Sequence, residues 1–317
     1  MAIARQVVNL VFAAALAAVP LAAQTPAGSP YNLAQQKGSH NSEQRNESLP
    51  QALLFNPSKP YQAGCRNVEF DLVQDSQYIG QTDTWAFAVD HSSTYNWKVA
   101  TLYDDLMILH NWHLANPGHD VVTVDMDLKN APGDDATFTQ KIEGIFAATL
   151  GMGNIYSPGM LQGTSPNLLA GARANGWPTL GQLAGKFILV FTGADGDSAV
   201  ARRRTYYSTT NPTQRLAFVD IDARQAGSDP TKPPYTDGYR VIINIKYGSS
   251  GWCSLATNAQ KLGGFATRAW TENDSTSWSA SLAAGVNILA TDKVSGYTWA
   301  QVGNAPFRAA PVPGTCK

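Results

Sequence analysis

Gly38-Ser39-His40-Asn41-Ser42, Glu69-Phe70-Asp71 and His91 place two imidazoles, an amide and two carboxylates beside short apolar segments. Cation-assisted attack on a phosphodiester needs that set of groups. Oxygen ligands suit a hard metal, and two imidazoles can move protons in and out of the reacting centre. A second acidic segment, Asp125-Met126-Asp127-Leu128-Lys129, extends the set.

Strand periodicity says how these groups must be held. In a strand, side chains alternate between faces. Glu69 and Asp71 therefore share one face of Val68–Leu72, and Val68, Phe70 and Leu72 share the other. Asp125, Asp127 and Lys129 likewise oppose Val122, Val124, Met126 and Leu128. With the apolar faces against a helix layer, the charges point inward and converge at strand ends, where barrel active sites lie. Burying five such charges is costly without partners, and a cation plus an anionic substrate would supply them.

The remaining strand candidates are Phe87–Asp90, Phe187–Phe191, Leu216–Ile221, Val241–Ile245, Phe265–Trp270, Val286–Thr291 and a segment ending at His40. Helices are expected over Leu102–Ala115, Asp135–Leu150 and Ser277–Ala284. Alternation of this kind gives parallel βα units. The expected fold is a single (β/α)8 TIM-type barrel over residues 31–317, with no internal repeat. The strand candidates outnumber the places of such a barrel by one, and Val241–Ile245 is taken as the extra.

The chain has 317 residues, 44% hydrophobic and 15% charged, with a formal net charge of -1. No field of that size draws in nucleic acid, and the one basic run, Arg202-Arg203-Arg204, is read as a solvated loop. Arg5, the apolar run Val7–Val19 and Ala22-Ala23 read as a signal peptide over residues 1–23, followed by a linker over 24–30. The run is shorter than the ~20 apolar residues of a membrane span. A secreted or periplasmic protein is expected, and an oxidising destination permits one disulfide among Cys65, Cys253 and Cys316. Cys65 reads as a buried thiol; Cys253–Cys316 pairing is left open. No Gly-x-Ser-x-Gly elbow occurs, which argues against a serine hydrolase.

Taken in order, these pieces resemble the calcium-dependent phosphatidylinositol-specific phospholipase C group of bacteria, within the phospholipase C-like phosphodiesterases. The residues that carry the resemblance are Gly38–Ser42, Ala63–Asp71, Asn116–His119 with Asp125–Lys129, Gly176–Leu180 with Gly185-Lys186, and Ala284–Val286 ending at Thr291-Asp292. The resemblance implies His40 and His91 as the catalytic pair. It implies Asn41, Glu69, Asp71 and Asp127 as ligands of Ca2+, with Mg2+ the alternative, and Lys129 as a phosphate contact. Trp270, ending a strand candidate, is placed at the border of the site as a substrate contact. After His-Asn-Ser the group usually has an aromatic, where this chain has Glu43-Gln44. The implied partner is a phospholipid or other phosphodiester, with transient contact to a membrane surface and a monomeric enzyme. Sphingomyelinase D-type and glycerophosphodiester phosphodiesterase activities are the nearest alternatives, and a non-catalytic calcium-binding module is a remoter one. His110, His113, His119 and Trp177 are read as packing or surface residues.

Overall fold

The structure is a computed structural model that describes residues 26–92, 94–193 and 197–316. The proposed signal segment, 1–23, lies outside the described residues. Eight parallel strands close on themselves in the order β1 (Ala34–Ser39), β2 (Asn67–Gln74), β4 (Val122–Leu128), β5 (Phe187–Gly193), β6 (Ala217–Asp222), β7 (Ile242–Lys246), β8 (Ala266–Trp270) and β9 (Ile288–Thr291). Parallel pairing of β1 with both β9 and β2 seals the barrel. Two short strands lie outside it: β3 (Phe87–Val89), antiparallel to β2, and β10 (Phe307–Ala309), antiparallel to β1.

Alternation in β2 and β4 does what the sequence requires. Val68, Phe70, Leu72, Val122, Val124, Met126 and Leu128 pack in one cluster with Leu106 and Leu109 of helix Leu102–Ala115 and Ile142, Ile145 and Phe146 of helix Phe138–Thr149. The helix layer takes the apolar face, and the carboxylates are left inside. The register sets Glu69 beside Asp125 and Asp71 beside Asp127. Gly38 lets β1 close against both neighbours, because a Cβ there would meet Asn67 Oδ1 at 2.5 Å and Ala290 Cα at 3.2 Å.

Three expectations need correction. Val241–Ile245 is no surplus segment: β7 is a barrel strand, paired with β6 and β8. The surplus one is Phe87–Asp90, whose β3 folds straight back on β2 because the intervening chain carries no crossover helix, only a short 3-10 turn at Ser76–Tyr78. Arg202–Arg204 lies on a helix, Ser198–Thr209, not a solvated loop. Arg203 and Arg204 are buried there, Arg203 donating to the Gly133 carbonyl and Arg204 pairing with Asp220. Finally, the helix expected from Asp135 begins at Phe138, because the Asp135 carboxylate instead binds the Thr137 amide and Lys141.

Cys65 is a buried free thiol, and Cys253–Cys316 is a disulfide joining the C-terminal tail to helix Trp252–Leu262. No helix among the described residues is long and apolar enough to cross a membrane.

Candidate active site

His40 and Asn41 follow β1, Asp127 and Lys129 lie at the C-terminal end of β4, Trp270 ends β8 and His91 follows β3, while Glu69 and Asp71 project from within β2. Ligand oxygens of Glu69, Asp71 and Asp127 come within 4.8 Å of one another. Glu69 and Asp71 are buried, and the Asp127 side chain is 22% exposed. Lys129 lies across the group, its Nζ 2.9 Å from Asp71 Oδ1 and 2.5 Å from Asp127 Oδ2. Burial and the neighbouring carboxylates Asp127 and Glu69 push Asp71 up to about 6 despite Lys129. Burial opposes the charge on Lys129, but Asp127 and Asp71 outweigh it and raise its pKa.

Beneath this cluster Arg268 of β8 sits in the barrel interior. Its Nη2 donates to Glu69 Oε2 at 2.6 Å, its Nη1 donates to Asn244 at 2.9 Å, and its Nε lies 2.9 Å from Asp125 Oδ2. Asp125 also accepts from Asn67 at 2.6 Å. Burial holds Asp125 up at about 6 although Arg268 pulls the other way. Asp125 thus supports Glu69 through a shared guanidinium and stands apart from the three clustered carboxylates.

His40 follows β1 directly and its backbone N–H continues the ladder to the Thr291 carbonyl. Its Nδ1 lies 2.9 Å from Asp292 Oδ1, and the ring stacks on Trp270 at 5.6 Å between centroids. Asp292 is further held by Arg45 at 3.2 Å and by Asn273 at 2.6 Å. Burial works against the Asp292 charge, but His40 and Arg45 outweigh it and keep its carboxyl below the usual range. Asn41 then takes a left-handed backbone, φ 47, and its N–H donates to Glu69 Oε2 at 3.2 Å. Asparagine tolerates that conformation better than most residues. The left-handed step turns the chain into the 3-10 turn Ser42–Gln44, clamped by the Glu69 N–H donating to Ser42 Oγ at 3.0 Å.

His91 depends on the strand that is not a stave. β3 runs back along β2 until the Asp90 N–H donates to the Asp71 carbonyl at 2.9 Å, and His91 follows with Nε2 3.7 Å from Asp71 Oδ2. The ring is 49% exposed. It lines a cavity of about 500 Å3 together with Glu43, Leu49, Phe70 and Asp105. A larger cleft, about 700 Å3, lies between Gly133–Phe138 and Ala199–Thr209, and none of the candidate residues lines it.

Sequence reasoning missed Asp292 as the partner of His40, Arg268 as the counter-ion of Glu69, and Glu43. Thr291-Asp292 at the end of the last strand was a usable signal for the first. Glu43 stands against the acidic group, and burial, then Asp71 and Glu69, push its carboxyl up to about 9. Arg224 and Lys246 flank Trp270 at 5.1 and 5.4 Å from the ring centre. Of the other histidines, His119 bonds His113 at 3.0 Å and the Asp120 carbonyl at 2.6 Å, and Trp177 is core, so both are structural.

The donor set fits a hard divalent cation. Among the described residues, the three clustered carboxylates and the neighbouring Asp125 meet two permanent cations in direct contact, Lys129 and Arg268. Neither oxygen of the fully buried Asp71 receives a hydrogen bond of good geometry, since Lys129 approaches out of line. Buried anionic oxygens in that condition call for a positive partner.

No protein-family model matches the chain, and no curated protein does. Solved structures match over most of its length. A calcium-dependent phosphoinositol-specific phospholipase C from a Gram-negative Pseudomonas species is 18% identical, with TM-score 0.66, covering 90% of this chain and 97% of its own. A Ca2+-dependent phosphatidylinositol-specific phospholipase C from Streptomyces antibioticus is 16% identical, with TM-score 0.60, covering 83% and 94%. At these identities the likeness establishes a shared barrel fold.

Proposed function

We propose that this chain is a calcium-dependent phosphoric diester hydrolase that cleaves a phospholipid, phosphatidylinositol foremost, on the glycerol side of phosphorus. Residues 1–23 would direct its export to the periplasm or beyond. The observation that carries the reading is the convergence of Glu69, Asp71 and Asp127 within 4.8 Å, with one histidine against Asp71 and another anchored on Asp292. The likeness to solved calcium-dependent phospholipases C supports it.

Asn41, Glu69, Asp71 and Asp127 would hold the cation, Glu69 through the oxygen that Arg268 and the Asn41 amide leave open. When bound, the ion supplies positive charge against the phosphoryl oxygens. Lys129, already among these carboxylates, supplies a second positive group within reach of the phosphate. His40 donates its Nδ1 proton to Asp292, which leaves Nε2 as the base. That nitrogen takes the proton of the substrate hydroxyl next to the phosphate, and the hydroxyl oxygen bonds to phosphorus. The bond from phosphorus to the glycerol oxygen breaks, and His91 delivers a proton to the departing oxygen. A cyclic phosphate and diacylglycerol result. Trp270, stacked on His40, would limit how the headgroup enters.

Leaving-group dependence tests these roles. His91→Ala should lose about 10²–10⁴-fold on a poor alkoxide leaving group and far less on a good phenolic one. Equal losses on the two, or none, would remove His91 from the acid role.

A further inference from the structure

We propose that the cavity beside His91 is the subsite for the diacylglycerol half of the substrate, with Pro50, Val99, Ala100 and Ile108 taking the first methylenes of its acyl chains. This rests on the reading of His91 as the acid that protonates the departing glycerol oxygen.

The two sides of the barrel mouth differ in chemistry. Across from β2, the ends of β6, β7 and β8 bring Arg224, Lys246 and Trp270 together, with Trp270 stacked on His40. Cationic side chains donate hydrogen bonds to hydroxyl and phosphate oxygens and offer little to hydrocarbon. On the β2 side, His91 opens on a cavity of about 500 Å3. Cavities of ~300–1,000 Å3 are the usual size for a small ligand. One wall is Ile108, 41% exposed on helix Leu102–Ala115. Val99 and Ala100, between β3 and that helix, form a second, and Pro50 on the short helix Leu49–Leu53 a third. Phe70 and Val89 line the cavity from the strands.

These walls are held in place without a ligand. The Ala100 carbonyl accepts from the Val89 N–H at 2.9 Å, and Thr101, next in the chain, caps the helix by accepting from the Asp104 N–H. Two charged groups at the cavity edge are engaged elsewhere: Arg45 binds Asp292 and the Asn41 carbonyl, and Glu47 accepts from Ser295. Burial, with Asp104, pushes the Asp105 carboxyl up to about 7, so it loses its charge below neutral pH. Exposed apolar side chains gathered around one opening gain free energy by taking up hydrocarbon. A proton leaving His91 must reach an oxygen roughly 3 Å from the ring. The glycerol therefore sits at the cavity mouth, and its ester-linked chains meet these apolar walls.

The test is kcat/KM of the full mature chain, with calcium, on dissolved monomers of dihexanoyl phosphatidylinositol, dibutyryl phosphatidylinositol and the deacylated glycerophosphoinositol. Each methylene taken up is worth roughly fourfold, so kcat/KM should climb from the deacylated compound to the dihexanoyl one. Ile108→Ser removes apolar wall and Ala100→Trp fills the cavity. Each should cut the ratio of the dihexanoyl to the deacylated value by roughly tenfold or more, the worth of two methylenes. A ratio near one in the unaltered protein, or a ratio that the folded variants leave within about twofold, would overturn the subsite while the phosphodiesterase reading stands. Variants that instead change the preference for phosphatidylinositol over phosphatidylglycerol would assign the cavity to the headgroup and overturn it as well. If the unaltered protein cleaves none of these substrates, the underlying reading falls and the subsite with it.

Discussion

Arg268→Met is the perturbation whose size the barrel interior fixes most directly. The guanidinium is 1% exposed and bonded at 2.6 Å to Glu69 and 2.9 Å to Asn244, with Asp125 at 2.9 Å. Methionine fills much of the volume but leaves two carboxylates facing one another without a counter-ion. Removing one member of a buried pair costs about 3–5 kcal/mol. With an unfolding entropy of about 2 cal/mol/K per residue, a chain of this size loses ~5–8 °C in Tm for that energy. The pH dependence gives a second signature. Asp125 already titrates at about 6 with Arg268 in place, above the ordinary 3.8. A raised carboxyl binds its proton more tightly in the folded state, so its destabilising effect is absent below the unfolded value and grows as pH rises through the folded one. Loss of the guanidinium raises Asp125 further, so the gap between variant and parent should be small near pH 4 and widest near pH 8. Thermal unfolding monitored by circular dichroism, across pH 4–8 without calcium, reads both quantities. Adding Asp125→Asn and Glu69→Gln to Arg268→Met should restore most of the lost Tm. A single variant within 2 °C of the parent at pH 8, or a deficit flat across that range, would refute the ion-pair account.

Other consequences are equally specific. Asp292→Asn should lower kcat by about 10²–10⁴-fold, the typical worth of a positioned acid–base group, while calcium affinity in a calorimetric titration stays unchanged. Asp105, pushed up to about 7 by burial and by Asp104, should destabilise the fold increasingly as pH rises from about 4 through 7. Asp105→Asn should therefore gain ~1–3 kcal/mol at pH 8 and nothing at pH 4, and a gain of equal size at both pH values would exclude this cause. Replacing Cys253 and Cys316 by serine opens a loop of 63 residues and should cost about 4 kcal/mol by chain entropy. Urea unfolding of the two forms measures that difference, and a loss below 1 kcal/mol would show the tail is held by other contacts.

How much of this was legible in the sequence depends on which force placed each element. β2 and β4 were readable because one face is uniformly apolar and the other carries the chemistry, so a period of two separates them. β1 was faint because its buried residues are polar. Gln35 reaches the Val286 carbonyl at 2.9 Å and Lys37 the Val294 carbonyl at 2.5 Å, pairings that only the closed barrel provides. β3 looked like a stave because Phe87–Val89 is as apolar as one. Strand composition cannot distinguish a hairpin return from a crossover, yet that return is what carries His91 to Asp71. The buried arginines escaped for a related reason: Arg268 is matched by Glu69, 199 residues away, and Arg204 by Asp220 on the following strand, pairings that alternation along one segment does not show. Asp292 and His40 are 252 residues apart and meet only because β9 and β1 are neighbours.

The most direct test of the central claim is hydrolysis of phosphatidylinositol vesicles by the mature chain, first with calcium and then with chelator, following diacylglycerol and the phosphorylated headgroup. The account predicts calcium-dependent release of diacylglycerol with a cyclic phosphate as the first water-soluble product, abolished in His40→Ala. Metal-dependent release of phosphatidic acid instead, or no turnover of phosphatidylinositol under any metal, would contradict it.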